Sequence, residues 1–186
     1  MLLCANIVWA ETRQKQKVVS AEKRALITEY FTLLKADVFT RKVLQQKMAQ
    51  LKKNGLKLDA SVEKEFIDQL SNMNALLRIY GPVYAKHLTD EELSSTLVFF
   101  KSDLGKRVLE HESKGKKPDS SSFSSSELNH IKAFEQSPEW KSIAAKMPAI
   151  SKDAITVSNY YVAQFVKYAK QKYPSKVDLS KMNNNQ

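Results

Sequence analysis

Leu88-Thr89-Asp90-Glu91-Glu92-Leu93 places three helix-start devices in six residues. The Thr89 hydroxyl can accept from the Glu92 N–H while the Glu92 carboxylate reaches back to the Thr89 N–H, a capping box. Leu88 and Leu93 occupy the two positions of a hydrophobic staple. The acids of the first turn face the positive end of the helix dipole. Thirty-five residues on, Phe123-Ser124-Ser125-Ser126-Glu127-Leu128 repeats the arrangement, with Ser124 as cap, Glu127 as its partner and Phe123 with Leu128 as staple.

The correspondence runs on without a gap. Phe99 aligns with Phe134, Ser102 with Ser137, Lys106 with Lys141 and Val108 with Ile143. At Ser102-Asp103 and at Ser137-Pro138 a second helix is expected, because Ser caps well and Pro at the first helical position loses only a donor that has no partner there. Each copy, about 88–110 and 123–145, thus reads as helix, tight corner, helix. The fold class that follows is all-α: a single-domain helical bundle over 20–173, built around two copies of a helix–corner–helix motif. Phe99 and Phe134 are expected in the core beneath the two corners.

The flanking chain agrees with this class. Ile27, Phe31, Leu34 and Val38 form one apolar stripe, and Leu44, Met48 and Leu51 form another slightly out of phase, so a kink is expected near Phe39–Arg41. Asn54-Gly55 stops that helix. Asp59 or Ser61 caps the next, running through Phe66, Ile67, Leu70, Met73, Leu77 and Tyr80 until Gly81-Pro82 interrupts it. Residues 113–122 read as a polar loop. Met147-Pro148 is expected to break the chain again, Ser151 to open a last helix through Val157, Tyr161, Phe165 and Tyr168, and 174–186 to form a disordered tail.

Composition sets outer bounds. With 186 residues, 42% of them apolar, the chain can bury a real core, and four Gly and five Pro are too few for a turn-rich β fold. The net charge is +10, concentrated at the two ends: residues 11–57 hold twelve Lys and Arg against four acids. Such ends suit a solvated helix surface or an anionic partner. Residues 1–10 carry no charge, end in Val8-Trp9-Ala10 and turn abruptly polar at Glu11, which reads as the remnant of a secretory signal cleaved after Ala10. Cys4 follows Leu3, which is too large for a lipidation site.

No catalytic, cofactor-binding or metal-binding residue is assigned. His87, His111 and His130 lack the i+4 partner of a helical metal pair, Asp90, Glu91 and Glu92 are explained by the helix start, and the serines are caps or loop residues. The residues singled out are therefore structural: Thr89, Glu92, Phe99, Ser102, Ser124, Glu127, Phe134 and Ser137.

Leu88-Thr-Asp-Glu-Glu-Leu93, leading to Phe99-Phe100-Lys101-Ser102-Asp103-Leu104-Gly105-Lys106, resembles a bacterial exported family catalogued as domain of unknown function 2059, with its pattern of an acidic-Leu start, an aromatic pair, Ser-Pro, Gly and Lys. The second copy resembles it as well, through Glu127-Leu128, Phe134, Ser137-Pro138 and Lys146-Met147-Pro148. The features are divided between the copies, since Asp103 replaces the Pro and Trp140 replaces the Gly. The resemblance, over roughly 60–170, implies a helical periplasmic or secreted protein and brings no activity with it.

Function is expected to be that of a non-enzymatic binding or interaction module of the bacterial envelope, with a protein partner there. The alternative is binding to an anionic surface, lipid headgroups or nucleic acid, through the basic N-terminal helix. Nucleic acid is disfavoured by the export reading and by the modest charge of the second helix of each copy.

Overall fold

The structure, a computed structural model, describes residues 19–178. The signal-like residues 1–10 with Cys4, and residues 179–186 of the tail, lie outside the described residues.

α1 (Ala21–Leu33) starts at Ser20, whose hydroxyl accepts from the Lys23 N–H. α2 (Ala36–Lys53) follows after a two-residue corner. The corner is Leu34-Lys35, not the expected Phe39–Arg41. Lys35 takes the left-handed conformation (φ 49°), which turns the chain in one step. This rotates α2 so that Leu44 and Met48 are buried, whereas Val38, read as core, is 48% exposed and Phe39 is 68% exposed.

Gly55, at φ 98°, ends α2 and leads into β1 (Lys57–Leu58). α3 (Ala60–Ser71) is capped by Asp59. The single helix expected here is two, because Asn72 is extended and its Oδ1 accepts from the Ala75 N–H at 3.0 Å, so that it closes α3 and caps α4 (Met73–Ile79) at once. α5 (Gly81–His87) carries Pro82 in its first turn, where the missing N–H costs nothing. α6 (Asp90–Lys101), α7 (Asp103–Ser113), α8 (Ser125–Glu135) and α9 (Pro138–Lys172) complete the nine helices among the described residues.

α9 corrects the expected break at Met147-Pro148 and the expected start at Ser151. It is one helix of 35 residues, about 52 Å long at ~1.5 Å per residue. Pro148 faces solvent, so the carbonyl it leaves without a donor is open to water. Ile143 and Ile150, two turns apart on the buried face, pack in the same cluster and hold both sides of the proline.

The tail is also ordered further than expected. Val177–Asp178 forms β2, antiparallel to β1, with Leu58 opposite Val177 and Lys57 opposite Asp178. Val177 is buried with Leu56, Val62 and Ala169, and that contact fixes a segment whose polar composition reads as disorder.

α9 is the spine of the bundle. Near its start Trp140 packs against Phe100, Val108, Phe123 and Ile131. Ile143 and Ile150 join the largest cluster, with Ile27, Phe31, Leu76, Leu93 and Leu97 from α1, α4 and α6. Val162 meets Leu44, Met48 and Phe66 of α2 and α3. Ala169 closes the far end under the β1–β2 ribbon.

Candidate functional site

Both serine/threonine helix starts carry the reciprocal pair of bonds. The Glu92 N–H donates to Thr89 Oγ1 at 3.1 Å, and Glu92 Oε2 accepts from the Thr89 N–H at 2.8 Å. The Glu127 N–H donates to Ser124 Oγ at 3.3 Å, and Glu127 Oε2 accepts from the Ser124 N–H at 2.8 Å. Ser102 Oγ accepts from the Gly105 N–H at 3.0 Å and donates to the Phe99 carbonyl at 2.6 Å, while Ser137 Oγ accepts from the Trp140 N–H at 3.2 Å. All four hydroxyls are occupied in holding backbone.

The two units, α6 with α7 and α8 with α9, are joined by contacts that run both ways. Glu92 accepts from Ser142 and from Lys146 of α9, and Glu127 accepts from Arg107 of α7. Positions 107 and 142 correspond in the 35-residue alignment, as do 92 and 127. Leu88 shares a cluster with Ile143, and Phe123 shares one with Val108. Phe99 and Phe134 stack on each other between the units. Neither ring is fully buried, which corrects their placement in the core: each is half-buried and covers the other, and the buried aromatic of that corner is the neighbouring Phe100.

The units are unequal. A Cβ on Gly105 would lie 2.1 Å from the Phe99 carbonyl oxygen, so only glycine lets α7 approach the end of α6 this closely. The second unit has Trp140 there, resting on Phe134 and Phe100 with ring centroids 4.9 and 5.9 Å apart. α6 and α7 accordingly share an extensive contact, whereas α8 and α9 touch much less.

Electrostatics at the joint centre on Glu92, which is 5% exposed. Burial pushes its carboxyl up, but the bonds from Lys146, Ser142 and the Thr89 N–H outweigh that and hold it below the usual carboxylate range. The Ser124 N–H and hydroxyl, with Arg107, lower Glu127 as well. Arg107 also donates to the Ser122 carbonyl at 2.6 Å and lies 4.7 Å over the Phe123 ring, so one guanidinium fastens the end of the 113–122 loop.

The histidines are scattered. His87 Nε2 is 2.8 Å from Asp153 Oδ2, an oxygen also bonded by Lys86, His111 lies against the Phe123 ring, and His130 is exposed. Among the described residues no three His, Cys, Asp or Glu side chains form a metal-holding group. The hollow lined by Thr40, Leu44, Tyr80 and Tyr161 is shallow, with room for about one water. Among the described residues no helix is long and apolar enough to cross a membrane.

The surface feature that sequence reasoning missed is the outward face of α2. Phe39, Lys42, Val43, Gln46, Gln50 and Lys53, which fall within about 100° of one another on a helix of ~3.6 residues per turn, all face solvent, and Val38 flanks them. Arg41 and Lys52 bond inward to Asp68 and Glu63, and Lys57 pairs with Asp178, whereas Lys42, Lys47 and Lys53 have no carboxylate partner among the described residues. The available signal was the phase shift between the two apolar stripes. Placing it at Lys35 rather than Phe39 moves Val38 from the inside to the outside and brings Phe39 into the helix on its exposed face.

Residues 74–114 match the model of a family described as "Uncharacterized protein conserved in bacteria (DUF2059)". The match runs from α4 to the end of α7 and holds Thr89, Glu92, Phe99, Ser102 and Gly105, a narrower span than the resemblance suggested, with the second unit outside it. No curated protein and no solved structure matches the chain.

Proposed function

We propose that this protein is a non-enzymatic helical binding module of the bacterial envelope, periplasmic or secreted, and that it engages its partner through the outward face of α2. The observation that carries this reading is the exposure of Val38, Phe39 and Val43 on one helix face, beside lysines without carboxylate partners. Grouped exposed apolar side chains on a folded domain mark contact surfaces more than isolated ones do. The family match supports a bacterial protein, and the uncharged N-terminal segment that ends at Ala10 supports the envelope part.

The test is site-specific photo-crosslinking in the native bacterium. A photoreactive residue at Val43 is expected to give an adduct, to protein or to lipid, in the envelope or secreted fraction, and one at the exposed Lys132 on α8 is expected to give none. Equal labelling at both positions, or a full-length protein with intact Met1 found only in the cytosol, overturns the reading.

A further inference from the structure

We infer that the outward face of α2 docks on an anionic lipid surface, with Phe39 entering the boundary between headgroups and acyl chains and Lys42 and Lys53 meeting the headgroups. This rests on the preceding reading of α2 as the contact face and names its partner.

Chemistry and shape both favour lipid. α2 is fixed to the body through Leu44, Met48 and Leu51, so it presents a convex ridge and not a groove. Phe39, Lys42 and Val43 share one turn of that ridge, and Val38 and Lys42 sit one turn apart. Apolar side chains interleaved with cations match an interface that is oily within and negative at its surface. Each juxtamembrane cation gains from the anionic surface potential, and the buried ring gains from leaving water. Nucleic acid would satisfy the lysines but offers no apolar layer for Val38, Phe39 and Val43 together.

The flanking charge agrees. The cations on the inner side, Arg41 and Lys52, are neutralised by α3, whereas those around the exposed ring are not. The lone acid on α2, Asp37, is exposed in the first turn but lies on the opposite side of the helical wheel from Phe39 and Lys42. One ring and a few lysines constitute a weak anchor, so attachment is expected to be reversible and salt-sensitive.

The experiment is co-sedimentation of the full chain with phosphatidylglycerol/phosphatidylethanolamine vesicles, against vesicles of phosphatidylethanolamine and phosphatidylcholine. Binding is expected to the first and not the second, and to fall as salt rises. Phe39→Ser and Lys42→Glu are each expected to weaken it about tenfold. Both side chains are exposed, so thermal melts should match the parent, and a Val98→Ser control at an exposed site on α6 should bind as the parent does.

Binding unchanged by Phe39→Ser and Lys42→Glu would place attachment elsewhere on the chain and overturn the proposal. Equal binding to the zwitterionic vesicles, or salt-sensitive retention on DNA with none on vesicles, overturns it as well. Failure on vesicles alongside a crosslink from Val43 to an envelope protein removes the lipid and leaves α2 as the contact face. Loss of both removes the α2 reading altogether.

Discussion

Phe99 and Phe134 lie face to face, with ring centroids 3.9 Å apart and planes within 5° of parallel. They lie thirty-five residues apart in the chain, one near the end of α6 and the other near the end of α8. The stack is flanked by the bonds of Glu92 to Lys146 and of Glu127 to Arg107.

Because the rings cover each other, removing them should not be additive. Phe99→Ala and Phe134→Ala are each expected to cost about 2–3 kcal/mol, below the full core penalty because each is half-buried. The double variant should cost about 1 kcal/mol less than the sum. Denaturant unfolding of all four proteins measures this. Strict additivity would show that the stack contributes nothing beyond burial.

Gly105→Ala is expected to be the most damaging one-carbon change in the bundle, since the new Cβ meets backbone and not a yielding side chain. We expect a loss of about 3 kcal/mol or more. Gly81→Ala is the internal control. Apart from its chain neighbours nothing lies within 4 Å of an added Cβ, and a helical residue before Pro82 carries a Cβ at only a small cost, so the change should stay within about 1 kcal/mol of the parent. Thermal melts that rank the two variants the other way would refute the close approach of α7 to α6.

Glu92 gives the joint a pH dependence. Its folded carboxyl is held below the unfolded value, so its contribution is present above the unfolded pKa and is lost as pH falls through the folded one. Glu92→Gln is expected to lower stability near neutrality by about 2 kcal/mol by removing charge-assisted bonds to Lys146. Below the folded pKa the parent and the variant should converge. Urea midpoints at pH 7 and pH 3 test this, and a gap that stays constant between them would assign the loss to packing.

Thr96 is 1% exposed, and its hydroxyl has no hydrogen-bond partner among the described residues. The aligned position in the second unit is Ile131, which is buried without a polar atom. Thr96→Val is therefore expected to stabilise the protein by about 1 kcal/mol. A destabilised variant in calorimetry would mean that the hydroxyl is solvated or bonded in solution.

The helix class and the helix starts were legible because capping chemistry is local: a Ser or Thr and a Glu three residues on act within one turn. What was not legible depends on contacts made far along the chain. Pro148 reads as a break, yet Ile143 and Ile150 seat both of its flanks on α1, α4 and α6. Val177 reads as tail until Leu58 is placed opposite it. The corner at Lys35 was hidden for another reason, since lysine carries no signal for a left-handed backbone. That one displaced corner moved Val38 from the interior to the surface and set Phe39 on the face now proposed for contact.

Every one of the four apolar clusters includes a residue of α9, and α9 is the last of the described helices to be synthesised. A nascent chain ending anywhere before Pro138 has amphipathic helices but no spine to close them on. Synthesis must have passed through α9 before the bundle can form, and until then the polypeptide stays an open set of helices that a chaperone can bind.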